Sequence, residues 1–140
     1  MSQKLSDILK PKNVDDILND IGNQNSLLKR LSQLMEGYNL DDYKMLKGIV
    51  SSELCDPRWS ENFIFERACK HNLFEIVEII IKDPRLDPTI HNNRALRLAY
   101  NADSFKAIKV LIKDKRITQK LLPGQLELLE HITQKYFDNF

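Results

Sequence analysis

Asn62-Phe63-Ile64-Phe65-Glu66-Arg67-Ala68-Cys69-Lys70 opens a stretch that returns, altered, as Asn93-Arg94-Ala95-Leu96-Arg97-Leu98-Ala99-Tyr100-Asn101. At an offset of 31, Phe65 meets Leu96, Ala68 meets Ala99, Phe74 meets Phe105, Val77 meets Ile108 and Ile80 meets Leu111. Phe65 and Ala68 lie three apart and share one face of a helix, and the small Ala lets a neighbouring helix come close. His71-Asn72 and Ala102-Asp103 fall where the chain must reverse. Asn and Asp are the residues after glycine that best accept the left-handed conformation of such a turn. A second stripe follows at helical spacing: Phe74, Val77, Ile80 and Ile81, matched by Phe105, Ile108, Leu111 and Ile112. Each unit therefore reads as two short antiparallel helices. A pair this short cannot bury its apolar stripe alone, so the units must stack. Phe65, Phe74, Phe105, Ile80 and Leu111 are the expected core.

The units are marked by a tripeptide. Asp56-Pro57-Arg58 recurs as Asp83-Pro84-Arg85 and, altered, as Asp114-Lys115-Arg116; the later two marks are 31 apart and the first two 27. The expectation is a four-residue deletion in the first connector that leaves the helices intact.

The body from Ala95 through Ile112 resembles an ankyrin repeat, whose family pattern has the form P-L-H-x-A-A followed by G-H-L-E-V-V-K-L-L-L. Ile64 through Ile81 is similar to the same body. The connector Asp83-Pro84-Arg85-Leu86-Asp87-Pro88, with its Asn92-Asn93 pair, resembles the variant found in ankyrin arrays of large DNA viruses and some protists. Two departures stand out. Arg94-Ala95-Leu96-Arg97 and Phe63-Ile64-Phe65-Glu66 replace the Thr-Pro-Leu-His signature, and Asn72 and Asp103 replace the turn glycine. The likeness covers residues 54–118. It implies an all-α fold, a short ankyrin-like helical repeat stack with flanking capping helices. It also implies a non-catalytic protein–protein interaction module, an adaptor or modulator of a cellular or host partner.

Outside those units, Leu27, Leu28, Leu31, Leu34 and Met35 form an amphipathic helix ending at Gly37. A second helix follows, capped by Asp41, with Leu46, Ile49, Val50 and Leu54 inward. The boundaries expected are residues 1–24 as an N-terminal helical extension and 25–120 as the array. Within the array, 25–55 is a degenerate repeat, 56–82 and 83–113 are repeats, and 114–120 is a partial connector. Residues 121–140 form a capping helix with Leu126, Leu129, Ile132, Tyr136 and Phe137 on one stripe, hiding the last apolar face. Val14, Ile17, Leu18 and Ile21, and before them Leu5, Ile8 and Leu9, mark the extension. About 20 residues are too few for the multi-helix F-box-like element that ends some viral ankyrin proteins.

Composition narrows the function classes. The 140 residues are 42% apolar and 29% charged, with 21 basic against 20 acidic residues and four glycines. So even a balance argues against wrapping nucleic acid as the main task. Ile79-Ile80-Ile81 is far short of the ~20 apolar residues of a membrane span, and residues 1–12 lack a signal peptide's apolar run. Cys55 and Cys69 are expected as free thiols in a reducing, intracellular compartment. Cys69 and His71 are two apart, but Cys69 holds a small-residue position of a helix and no second Cys-His pair stands at zinc spacing. Glycines 22, 37, 48 and 124 are scattered singly, so no phosphate loop exists. The expectation is therefore no catalytic residue, no metal and no cofactor.

Residues 94–120 carry eight basic residues and two acids, a local +6, whereas residues 1–93 sum to −3. A solvated helix face explains this simply; the functional alternative is a protein partner with an acidic surface. Trp59, Glu66, Arg67, Arg94 and Arg97 are the candidate partner-binding residues, on the connector tip and first helices. Trp59 has two readings, an interface anchor or a cover folded back over the core. The rival function is structural self-assembly, virion-associated if the viral likeness holds, giving a homo-oligomer through the ends of the stack.

Overall fold

The computed structural model describes residues 24–36 and 39–138. The expected extension over residues 1–24, apart from Gln24, which begins α1, and the helix stop at Gly37 lie outside those residues. Among the described residues the chain is all-helical: α1 (Gln24–Glu36), α2 (Leu40–Ser51), α3 (Trp59–Lys70), α4 (Phe74–Ile81), α5 (Ile90–Asn101), α6 (Phe105–Leu111), α7 (Lys115–Thr118) and α8 (Gln125–Asp138). None of these helices is long and apolar enough to cross a membrane.

The helices pair as α1/α2, α3/α4 and α5/α6 and lie in two rows, α1–α3–α5 and α2–α4–α6. The core runs between the rows. Leu31, Leu34, Leu46, Ile49, Phe65, Ala68, Val77, Ile80, Ala99, Ile108 and Leu111 are all buried there. The expected core is corrected at Phe74 and Phe105, which are half-buried in the outer row, while Ile76 and Ala107 are fully buried. The rings of the two Phe are instead covered by Lys106 and Tyr136. The chain reversals fall as expected, Asn72 at φ +60° and Asp103 at φ +53°. Asn72 also accepts the Ala107 N–H through Oδ1 at 3.0 Å, which ties one turn to the start of the next outer helix.

The same hydrogen bonds recur at an offset of 31. Ser52, Asp83 and Asp114 donate their N–H to Ile49, Ile80 and Leu111; Cys55, Leu86 and Ile117 donate to Ser52, Asp83 and Asp114. This register corrects the deletion inferred between the marks. Asp56-Pro57 occupies the place of Asp87-Pro88, both prolines buried, and Ser52 occupies the place of Asp83. The Ser52 hydroxyl even accepts the Leu54 N–H, as the Asp83 carboxylate accepts that of Arg85. The connector has its full length.

Two further details differ from expectation. Asn39, not Asp41, caps α2, accepting the Asp42 N–H at 2.9 Å, and Leu54 lies beyond the helix with its side chain exposed. Inside α3 and α5 a single left-handed turn precedes the right-handed body: Ser60, Glu61 and Asn62 at φ +49°, +56° and +66°, then His91, Asn92 and Asn93 at +55°, +58° and +57°. Left-handed residues cost about 1–2 kcal/mol each outside glycine, less for Asn. The turns are held from elsewhere. Asn62 Nδ2 donates to the Asp87 carbonyl at 2.7 Å and Asn93 Nδ2 to that of Ile117 at 3.3 Å.

Candidate functional site

The first helices bring part of the expected set together. Glu66 and Arg67 on α3 and Arg94 on α5 line one groove of about 210 Å³, with Phe63, Lys70 and Leu98. Successive turns of α3 place Phe63, Glu66, Arg67 and Lys70 on a common face, since residues three and four apart are neighbours. Phe63, Lys70 and Leu98 are the residues sequence reasoning missed. For two of them the offset of 31 was the available signal, because it equates Leu98 with Arg67 and Phe63 with Arg94, both already singled out.

Glu66 is the electrostatic centre of the groove. It is only 8% exposed, its Oε1 is 3.5 Å from Arg94 Nε, and its Oε2 is buried with no hydrogen-bond partner among the described residues. Burial pushes its carboxyl up, and the neighbouring Arg94 offsets this only in part. Around it stand three cations. Arg67 lies over the Phe63 ring at 5.2 Å, a geometry that holds the guanidinium at the groove wall. The groove thus presents a net positive, partly apolar surface along two packed helices.

The other two expected residues are placed elsewhere. Trp59 begins α3, half-buried against the core, which fits a cover and not an exposed tip. Arg97 fastens the left-handed turn of α5, donating from Nη2 to the His91 carbonyl at 2.8 Å and from Nε to that of Asn92 at 3.2 Å.

The basic cluster of residues 94–120 is not one patch. Lys106 covers the Phe74 ring at 5.5 Å and Lys109 the Phe137 ring at 4.2 Å. Lys120 donates to Thr89 Oγ1 at 2.8 Å, and Arg116 to the Leu86 carbonyl at 3.0 Å. These cations are spread over different contacts, so the local +6 overstates what any one partner surface would meet.

The thiols are inert by environment. Cys55 and Cys69 are buried and unpaired with each other. Burial pushes Cys55 up to about 12 and raises Cys69 further still, so neither forms a thiolate readily at neutral pH. Among the described residues, no group of three or more His, Cys, Asp or Glu side chains is arranged to hold a metal ion.

Compared with known proteins, the chain matches no family model, no curated protein and no solved structure.

Proposed function

We propose that the chain is a non-catalytic protein–protein interaction module built as a short, divergent ankyrin-like stack, and that the α3–α5 groove is its partner-binding face. The observation that carries this reading is the offset of 31 shared by the turn hydrogen bonds, the left-handed turns and the two rows of helices. A stack of like units is a rigid frame that displays the side chains of successive inner helices side by side. The groove's chemistry supports a partner with an acidic surface: Arg67, Lys70 and Arg94 surround a single carboxylate whose charge burial disfavours. The resemblance to viral and protist ankyrin arrays supports a role on a cellular or host protein.

The test is a pull-down from cell extract with the full chain beside an Arg67→Glu/Lys70→Glu variant, their helical content matched by circular dichroism. Lys70 is exposed and Arg67 half-buried at the groove wall, so matched helical content is the check that the variant keeps its fold. A partner retained by the parent and lost by the variant supports the reading. A partner held equally by both removes the groove from consideration.

A further inference from the structure

Among the described residues, the end of the inner row is incomplete. Gly124, at φ +88°, stands 31 residues after Asn93, itself left-handed, and α8 begins directly after it, as the right-handed bodies of α3 and α5 begin after Asn62 and Asn93. α8 thus starts in register as the next inner helix. It then swings across the outer row: the Tyr136 ring lies 4.8 Å from that of Phe105, and Phe137 packs under Lys109. The two helices splay, and a cleft of about 530 Å³ opens between α5, the segment 120–122 and α8.

This cleft is the counterpart of the α3–α5 groove, displaced by 31 residues. Glu66 and Lys70 on one wall of the groove become Arg97 and Asn101 on the wall of the cleft. In the groove the next inner helix packs against the opposite side; in the cleft α8 supplies that side but stands away from α5, leaving the gap between them open among the described residues. Its rim carries three of the large exposed apolar side chains: Tyr100 at 46%, Leu122 at 67% and Leu128 at 51%. Leu96 lies at its floor, beside Asn93, which is only 6% exposed and whose Oδ1 is buried without a hydrogen-bond partner among the described residues. Among the described residues, the charged side chains lining the cleft are Arg97 and Lys120, and no carboxylate joins them.

The occupant follows from those features. The cleft, at about 530 Å³, takes the side chains of one helix face. The leucines require an apolar stripe. In the groove, acidic Glu66 faces basic Arg94 of the next helix; in the cleft Arg97 has taken the place of Glu66 and Gln125 of α8 that of Arg94, so α8 offers no carboxylate to the two lining cations and an acidic occupant complements them. Two copies of this chain set face to face would bring cations against cations, which favours a different partner. We propose that the α5–α8 cleft docks an acidic amphipathic helix of a partner protein, its leucine stripe on Leu96, Leu122 and Leu128 and its carboxylates toward Arg97 and Lys120. The cleft lies beyond the α3–α5 face and is argued from its own geometry.

The experiment is a nuclear magnetic resonance titration of the full, isotope-labelled chain. The probe is a capped synthetic helix of about 15 residues, with leucines at i, i+4, i+7 and i+11 and glutamates between them. A matched peptide has lysine for every glutamate. The expected result is saturable shifts of the Leu96, Leu122 and Leu128 methyl signals with the glutamate peptide. Binding should weaken about tenfold or more with the lysine peptide and with Leu122→Ser/Leu128→Ser. Both leucines are exposed, so that variant keeps its fold. The Arg67→Glu/Lys70→Glu variant should bind the peptide as the parent does, which separates this site from the groove. Equal binding of both peptides, or no shifts, overturns the proposal. So does a dimer of the free chain that Leu122→Ser/Leu128→Ser dissociates, since the occupant is then a second copy. Nuclear Overhauser contacts from residues 1–23 to Leu122 or Leu128 in the free chain also overturn it, by assigning the cleft to that segment.

Discussion

Arg116 donates from Nη1 to the carbonyl of Leu86 at 3.0 Å, joining one connector to the connector before it. Arg85 makes the equivalent bond to Cys55 through Nη2, at 3.2 Å. Each guanidinium is first aimed by its own aspartate: Asp114 accepts from Arg116, and Asp83 from Arg85, through both carboxylate oxygens. Arg58 has the same clamp on Asp56 at 3.1 and 2.8 Å but sits in the Thr89 position, so it is aimed without such a carbonyl to reach among the described residues. Arg85→Ala and Arg116→Ala should each lower stability by about 1–2 kcal/mol, a charged hydrogen bond discounted for the partial exposure of these side chains. Arg58→Ala should cost clearly less. Urea midpoints of the three variants check the ranking.

The aspartates in these turns make the fold acid-sensitive. Hydrogen bonds from Arg58 hold Asp56 down to about 2, and those from Arg85, Thr89 and Arg116 lower Asp83, Asp87 and Asp114. A folded-state pKa below the unfolded value of about 3.9 gives stabilisation that is present above that pH and lost as pH falls through the folded values. The melting temperature should therefore drop between about pH 4 and pH 2. Replacing Asp83 and Asp114 together by Asn should flatten that drop.

Glu66 has the opposite sign. Burial raises its folded-state pKa, so its contribution is most favourable below the unfolded value of about 4.3 and declines as pH rises through the folded value. Glu66→Gln removes the buried charge and keeps the shape. It should equal or exceed the parent in thermal stability at neutral pH, and the difference should close toward pH 4. A melting-temperature series across that range reads it directly.

The two left-handed turn residues should respond differently to glycine. Asp103 has no side-chain hydrogen bond to lose among those observed, so Asp103→Gly relieves the positive φ and should stabilise by about 0.5 kcal/mol. Asn72→Gly relieves the same conformation but loses the bond from the Ala107 N–H. It should be neutral or destabilising. Chemical denaturation of the pair decides this.

Buried thiols predict slow chemistry. Cys55 and Cys69 should resist iodoacetamide in the native chain at neutral pH and react in urea, as mass spectrometry of labelled peptides would show.

Much of the helix pattern was legible because it depends on local preference and period. Asn72 and Asp103 mark reversals through their own backbone tolerance, and Phe65, Leu96, Val77 and Ile108 mark faces through spacing. Ala107 was missed because a methyl group carries little apolar signal, although a close helix approach buries it completely. Phe74 and Phe105 were overestimated because an outer-row helix keeps one side toward water. The connector was misread because Asp56-Pro57-Arg58 matches the letters of Asp83-Pro84-Arg85, whereas the backbone sets Asp56 against Asp87. Ser52 fills the Asp83 place with the same kind of turn under a different letter. The left-handed turns were only half legible: Asn62, Asn92 and Asn93 tolerate that conformation, but Ser60, Glu61 and His91 have no strong preference for it, and Asn62 and Asn93 are anchored on carbonyls 25 and 24 residues away. In the candidate site, charge and position on a first helix singled out Glu66, Arg67 and Arg94, which the structure brings to one groove, but could not show that Trp59 packs half-buried against the core.

Four of the bonds that fasten one helix pair to the next end on peptide carbonyls, those of Cys55, Leu86, Asp87 and Ile117. A carbonyl is the same whatever side chain it belongs to. Neighbouring units can therefore diverge in sequence without unfastening, which is how Ser52 and Asp83, or Glu66 and Arg97, come to share a place. It also makes the joint interchangeable. An in-frame duplication of residues 83–113 would meet a compatible edge on both sides, so this architecture lengthens or shortens by whole units more readily than it tolerates a one-residue insertion within one.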